Sequence, residues 1–226
     1  MTAGEIAPGL WRWTVTHPEW NPEEDGLPGW SADVGCLYHE AAEAIVLVDP
    51  LVPIDPDEAS RFWSALYRDV ERLELPVEIL LTTHWHTRSA GEVRERYAQW
   101  PGARVWGAES FLDQVPLPDV QPFATGVALP GGITAFPTSR PGQVVLWLPG
   151  HRALVPGDLL LGPGEGTLRV CPDSWLSDPD APAQVRHALA QLLDLPVEMV
   201  LVSHGEPVLR GGHEALAQAL ASPEPE

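Results

Sequence analysis

Hydrophobic positions along the chain fall into short apolar runs bounded by turn residues, and between some of these runs the spacing changes from two to three or four. The runs near 10–16, 32–39, 44–49, 77–82 and 103–106 predict strands in the first half; those near 127–129, 132–136, 143–148, 152–156 and 198–202 predict strands in the second. Phe62, Trp63, Leu66 and Val70 recur at helical spacing and predict a helix over 56–73. Further helices are expected at 90–99, near 108–114, at 181–194 and at 211–221. A proline-rich connection, 115–124, divides the pattern into two similar halves. Strands followed by helices in each half point to an α/β (α+β) chain, with two mixed sheets packed face to face and helices outside. The expectation is one domain over 1–221, with halves of about 1–124 and 125–221, and a disordered tail at 222–226. The segment HPEWNPEEDGLPGW at 17–30 reads as a mobile flap or as a plain surface loop.

Composition narrows the setting. With 226 residues, 44% hydrophobic positions and ten tryptophans, the chain can bury a sizeable core. No apolar run reaches the roughly 18–20 residues needed to cross a bilayer, and the N-terminus lacks the layout of a signal peptide, so a cytoplasmic protein without membrane contact is expected. Its net charge is −19, and residues 1–60 carry twelve acidic side chains against Arg12 alone. A field of that sign repels phosphate backbones, which argues against nucleic acid as a partner. All thirteen basic residues are arginine, a usage that suits a GC-rich genome and carries no function. Two isolated cysteines, Cys36 and Cys171, match no metal or redox spacing.

The candidate chemistry begins after the apolar run Val77 to Leu81, where LTTHWHTRSAGEV places His84 and His86 two residues apart. Extended backbone sends such a pair to one side, so both imidazoles could converge on one ion. The alternative is a hydrogen-bonded pair in a pocket that has lost its metal. Ser89-Ala90-Gly91-Glu92 has the form of a capping box for the following helix. A Ser–His–Asp triad could be drawn from Ser89 or Ser139, but neither serine lies in a nucleophile elbow.

The order of AIVLVDP at 44–50, LTTHWHTRSAGEV at 81–93, FPTSRPGQVVLWLPGHRALVPGDLLLG at 136–162 and MVLVSHGEP at 199–207 resembles the metallo-β-lactamase fold superfamily over roughly residues 8–215. The resemblance implies a four-layer αββα sandwich with a site at one edge of the sheets. It also implies that His84 and His86 match the leading histidines of the family's His-x-His-x-Asp-His motif, that Asp158 matches its "GD" aspartate and that His204 matches its last histidine. Three positions depart from the pattern: Arg88 stands at the motif's aspartate, Ser89 at its next histidine, and Ser139 at the "GH" histidine. His151 falls in a hairpin turn instead, and Asp49 is expected to be structural.

Two functions follow from the resemblance and its departures. In one, the site is degenerate and binds a small anionic molecule through Arg88 and Arg140, with no metal; Arg88 pairs with Asp158 or with the ligand, or else points to solvent. In the other, His84, His86, Asp158 and His204 hold at most one divalent ion (Zn, Fe or Mn), and a bound water attacks an ester, thioester, lactone or amide. Asp158 and His204 would then assist catalysis. Substrate and oligomeric state are left open by the sequence.

Overall fold

The computed structural model describes residues 1–21, 32–140, 142–176 and 181–222. The expected flap, from residue 22 onward, and the tail at 223–226 lie outside the described residues.

The first half builds a seven-stranded sheet from β1 (Thr2–Ala7), β2 (Leu10–Thr16), β3 (Asp33–Glu40), β4 (Ile45–Val48), β5 (Val77–Leu80), β6 (Ala103–Ala108) and β7 (Gln121–Phe123), in that spatial order. The strands are antiparallel up to β4 and parallel from β4 to β7. Parallel strands require crossovers: α1 (Pro56–Leu73) and α2 (Ala90–Tyr97) supply the first two, and a connection holding the 3-10 turn Leu112–Gln114 supplies the third. Helix α1 starts where it was expected because Asp55 Oδ1 accepts from Asp57 N at 3.1 Å and Glu58 N at 2.9 Å, with Pro56 in the first turn. Glu74 ends it in the left-handed conformation. Phe62, Leu66 and Val70 form its buried stripe, each burial worth about 1.5–3 kcal/mol.

The second half builds a four-stranded sheet ordered β13 (Met199–Val200), β10 (Ala153–Val155), β9 (Val144–Leu148), β8 (Thr134–Pro137), and a separate hairpin of β11 (Leu160–Gly164) and β12 (Thr167–Val170) that bridges through Gly162 to Gly205. Every residue of β9 is buried, as a strand covered on both faces must be. Val144, Leu146 and Leu148 join the core between the two sheets. Val145 and Trp147 face the other way, into a second core closed by α3 (Ala181–Ala190) and α4 (Gly212–Ala221). The layers are therefore helix, sheet, sheet, helix. Among the described residues no helix is long and apolar enough to cross a membrane.

Several local expectations are corrected. The run at 127–129 forms no strand, and Ala128 makes only an isolated bridge to Thr134. The helix expected near 108–114 is a 3-10 turn over Leu112–Gln114, and the one expected to run to 194 is α only to Ala190, then 3-10. Strands β1, β7, β11 and β12 were not expected. β1 is an exposed edge strand with no apolar alternation, so its pairing with β2 comes from backbone hydrogen bonds rather than pattern.

Candidate functional site

At the carboxyl ends of β4 and β5 and the loops after β10 and β13, three side chains converge: His86, Asp158 and His204. His86 Nε2 lies 3.2 Å from Asp158 Oδ1, and His204 Nε2 lies 3.5 Å from the same oxygen. Behind His86 sits Asp49, whose Oδ2 is 2.9 Å from its Nδ1. Thr82 completes this backing: its amide donates to Asp49 Oδ1 at 2.9 Å and its hydroxyl to Oδ2 at 2.5 Å. Asp49 was read as structural, and its contacts make it the anchor of His86.

These groups set one another's protonation. Burial and the charge of Arg88 push the His86 pKa down, but the carboxylates of Asp158 and Asp49 outweigh them and raise it above the ordinary histidine value. Burial alone would raise the Asp158 pKa; the charge of His86 and the hydrogen bond of His204 outweigh it and hold the acid well below the usual range. Asp158 is thus a carboxylate facing imidazoles, and His86 a ring clamped between two acids.

Backbone features deliver these residues. Gly157, at φ 57°, lets the chain turn before Asp158 where an added Cβ would sit 2.6 Å from Gln143 Nε2. His204 is held by its carbonyl, which accepts from Gly162 N at 3.0 Å, and by Gly35 N donating to Ser203 O at 2.7 Å. Arg12 Nη2 reaches under the same loop to Gly205 O at 3.0 Å.

His84 does not join its partners. Residues His84–Thr87 form a 3-10 turn rather than extended backbone, so side chains two positions apart diverge. The His84 ring packs T-shaped on Trp85 at 4.6 Å and beside Phe111, and its Nδ1 is buried with no hydrogen-bond partner. Burial first, then Arg140 and His86, lower its pKa. Trp85 takes the place expected for a histidine: its indole Nε1 donates to Asp158 Oδ2 at 2.7 Å.

Arg88 lies in the same pocket as His86, Asp158 and His204, but among the described residues it forms no ion pair with Asp158. Its Nη1 donates to Asp49 O at 3.2 Å, its Nε is buried without a partner, and its backbone stands at φ 36°. Ser89 does not cap α2; its hydroxyl accepts from Val52 N at 2.9 Å. Ser139 lines a separate groove against α3 with Gln184 and His187. No serine, threonine or cysteine lines the Asp158 pocket among the described residues, so no Ser–His–Asp triad assembles. His151 sits in the β9–β10 turn as expected, yet its Nε2 meets His39 Nδ1 at 3.2 Å and ties that turn to β3.

The pocket has a volume of about 370 Å³. His17 and Glu19, from the start of the 17–30 segment expected to be a flap or a surface loop, line it, and so do Trp85 and Trp175, which the sequence did not single out. No local signal marked Trp175, which arrives from the loop after β12, whereas His17 and Glu19 follow directly on β2. Arg140 stacks over the Trp85 ring at 4.8 Å and donates to Trp175 O at 3.1 Å.

A divalent ion does not fit these residues as they are arranged. Among the described residues His86, Asp158 and His204 meet by touching one another, with both imidazole Nε2 atoms against Asp158 Oδ1, and no group of three is arranged to hold a metal ion. His84 faces elsewhere, Asp158 Oδ2 already accepts from an indole, and the pocket wall includes two guanidinium groups.

The sequence profile of the metallo-beta-lactamase superfamily matches residues 87–204, more than half of the chain. The chain belongs to that superfamily. Solved structures agree on the fold. A beta-lactamase domain protein from Burkholderia ambifaria superposes with a TM-score of 0.66 at 18% identity, covering 97% of this chain and 75% of that one. The metallo-beta-lactamase from Pontibacter korlensis gives 0.63 at 22% identity, over 98% and 99% of the two chains. A metallo-beta-lactamase of Pseudomonas aeruginosa, solved in a mono-zinc form, gives 0.64 at 16% identity, over 97% and 94%. Among curated proteins none matches. At these identities the superfamily likeness establishes architecture, and the chemistry has to be argued from this chain's own residues.

Proposed function

We propose that this superfamily member is a binding protein, with a degenerate metal site that takes a small anionic ligand in place of metal ions. One observation carries the reading: the guanidinium of Arg88, at the sequence position of a motif carboxylate, lines the same pocket as His86, Asp158 and His204. An arginine there cannot deprotonate to become a ligand, and it disfavours a dication by charge. Arg140, which also lines the pocket, adds a second permanent cation in a chain whose net charge is −19. A concave site of about 370 Å³ with a few convergent charged groups has the size of a small-molecule pocket.

The alternative, hydrolysis by one metal-bound water, needs His84 beside His86, and Trp85 stands there instead. Two measurements separate the readings. Protein expressed with added zinc, then desalted, is expected to retain far less than one equivalent of metal. Calorimetric titration with inorganic phosphate is expected to show binding that weakens roughly 10–100-fold in Arg88→Gln, the loss of one charge-assisted hydrogen bond. One retained equivalent of zinc together with silence toward phosphate overturns the proposal.

A further inference from the structure

The two arginines of the pocket are both half-buried but are held differently. Arg88 Nε is fully shielded from solvent and has no partner, beside the buried His86. Trp85, by contrast, is 39% exposed and carries Arg140 across its face. Arg140 is itself held in place by the Trp175 carbonyl, and the Trp175 ring stands 6.0 Å from that of His204. The pocket thus joins a wall of indole and guanidinium planes to an Arg88 whose Nε has no partner.

The apolar lining is equally specific. Among the described residues the only apolar side chains on the pocket wall are Trp85 and Trp175; no leucine, isoleucine, valine or methionine faces it. An alkyl body would find no aliphatic surface to pack on. An aromatic ring would find two indoles and a flat cation, both of which attract π-systems by stacking or edge contacts.

We infer that the ligand is an aromatic acid, with its carboxylate at Arg88 and its ring against the wall formed by Trp85, Arg140 and Trp175. This rests on the anion-binding reading above and adds the ring to it. A carboxylate matches the guanidinium fork with two parallel hydrogen bonds, and the planar body keeps the ring in the plane that the wall favours. The pocket volume of about 370 Å³ accommodates one or two fused rings.

Isothermal titration of the whole chain with benzoate, 1-naphthoate, cyclohexanecarboxylate and benzyl alcohol tests this. Benzoate and cyclohexanecarboxylate share charge and approximate size and differ in aromaticity. Benzoate is expected to bind roughly tenfold tighter, naphthoate tighter still, and benzyl alcohol not measurably. Trp175→Leu should bring the benzoate and cyclohexanecarboxylate affinities together, while Arg88→Gln should weaken both alike. Equal affinity of those two acids for the unaltered protein overturns the aromatic inference and leaves the anion site standing. Benzyl alcohol binding as tightly as benzoate overturns the assignment of the charge. Silence toward every carboxylate, with inorganic phosphate still bound, also overturns the inference; silence toward phosphate as well sinks the anion-binding reading with it.

Discussion

Removing the Asp49 carboxylate should damage this protein more than its place at a strand end suggests. Asp49 is 2% exposed and serves three donors: the Thr82 amide, the Thr82 hydroxyl and His86 Nδ1. In Asp49→Ala all three lose their acceptor in a site closed to water, and His86 loses one of the two carboxylates that raise its pKa. Breaking a buried charge pair from one side costs about 3–5 kcal/mol, and that range is expected here. Asp49→Asn keeps an oxygen for Thr82 but presents no charge to His86, so it should cost less, about 1.5–3 kcal/mol. Urea unfolding followed by circular dichroism measures both, the midpoint shift giving the free energy at constant slope. A double-mutant cycle of Asp49→Asn with His86→Gln should return a coupling of about 0.5–3 kcal/mol. An Asp49→Ala protein within about 1 kcal/mol of the parent would show that the buried chain from Thr82 through Asp49 to His86 does not hold the site together.

Three further outcomes are expected. Burial above all lowers the pKa values of His39 and His151, opposed at His39 by backbone hydrogen bonds to Gly131 and Gly9 and then by Glu43 and Glu40, so both rings are favoured neutral in the folded chain. The folded state then binds fewer protons than the unfolded one. Their contribution is complete above the ordinary histidine value of 6.5 and declines as pH falls below it; replacing both with Gln should flatten the fall in urea midpoint over that range. In Gly35→Ala the new Cβ would lie 2.5 Å from Arg12 Nη2, dislodging the guanidinium from the carbonyls around His204. A loss of about 1–3 kcal/mol in unfolding free energy is expected there, with weaker anion binding by calorimetry. Leu146, fully buried between the sheets, should cost about 2–5 kcal/mol on truncation to Ala in the same urea assay, without changing ligand preference.

Much of the architecture was legible because local patterns and the fold agree. The α1 boundaries follow from Asp55, Pro56 and the stripe through Phe62, Leu66 and Val70, all of them encoded within a few residues. The runs at 10–16 and 143–148 are strands because burial on one or both faces writes itself as apolar periodicity. The elements that escaped notice, β1 and β7 among them, are short pieces whose partners rather than their own residues make them strands. The motif order also anticipated that His86, Asp158 and His204, far apart along the chain, would meet.

The sequence by itself therefore determined the layers and the superfamily. Only the tertiary structure decided which way the motif loop turns. Tightening of His84–Thr87 into a 3-10 turn aims Trp85 rather than His84 at Asp158, with Phe111 and Gly142 lying against the His84 ring. It also decided that Ser89 serves Val52 and that Arg88 serves the Asp49 carbonyl. His17 and Trp175, more than 150 residues apart in a chain of 226, were brought to one pocket by long-range folding. Backbone pattern is a property of neighbours, whereas side-chain direction at a loop depends on whatever distant surface closes over it.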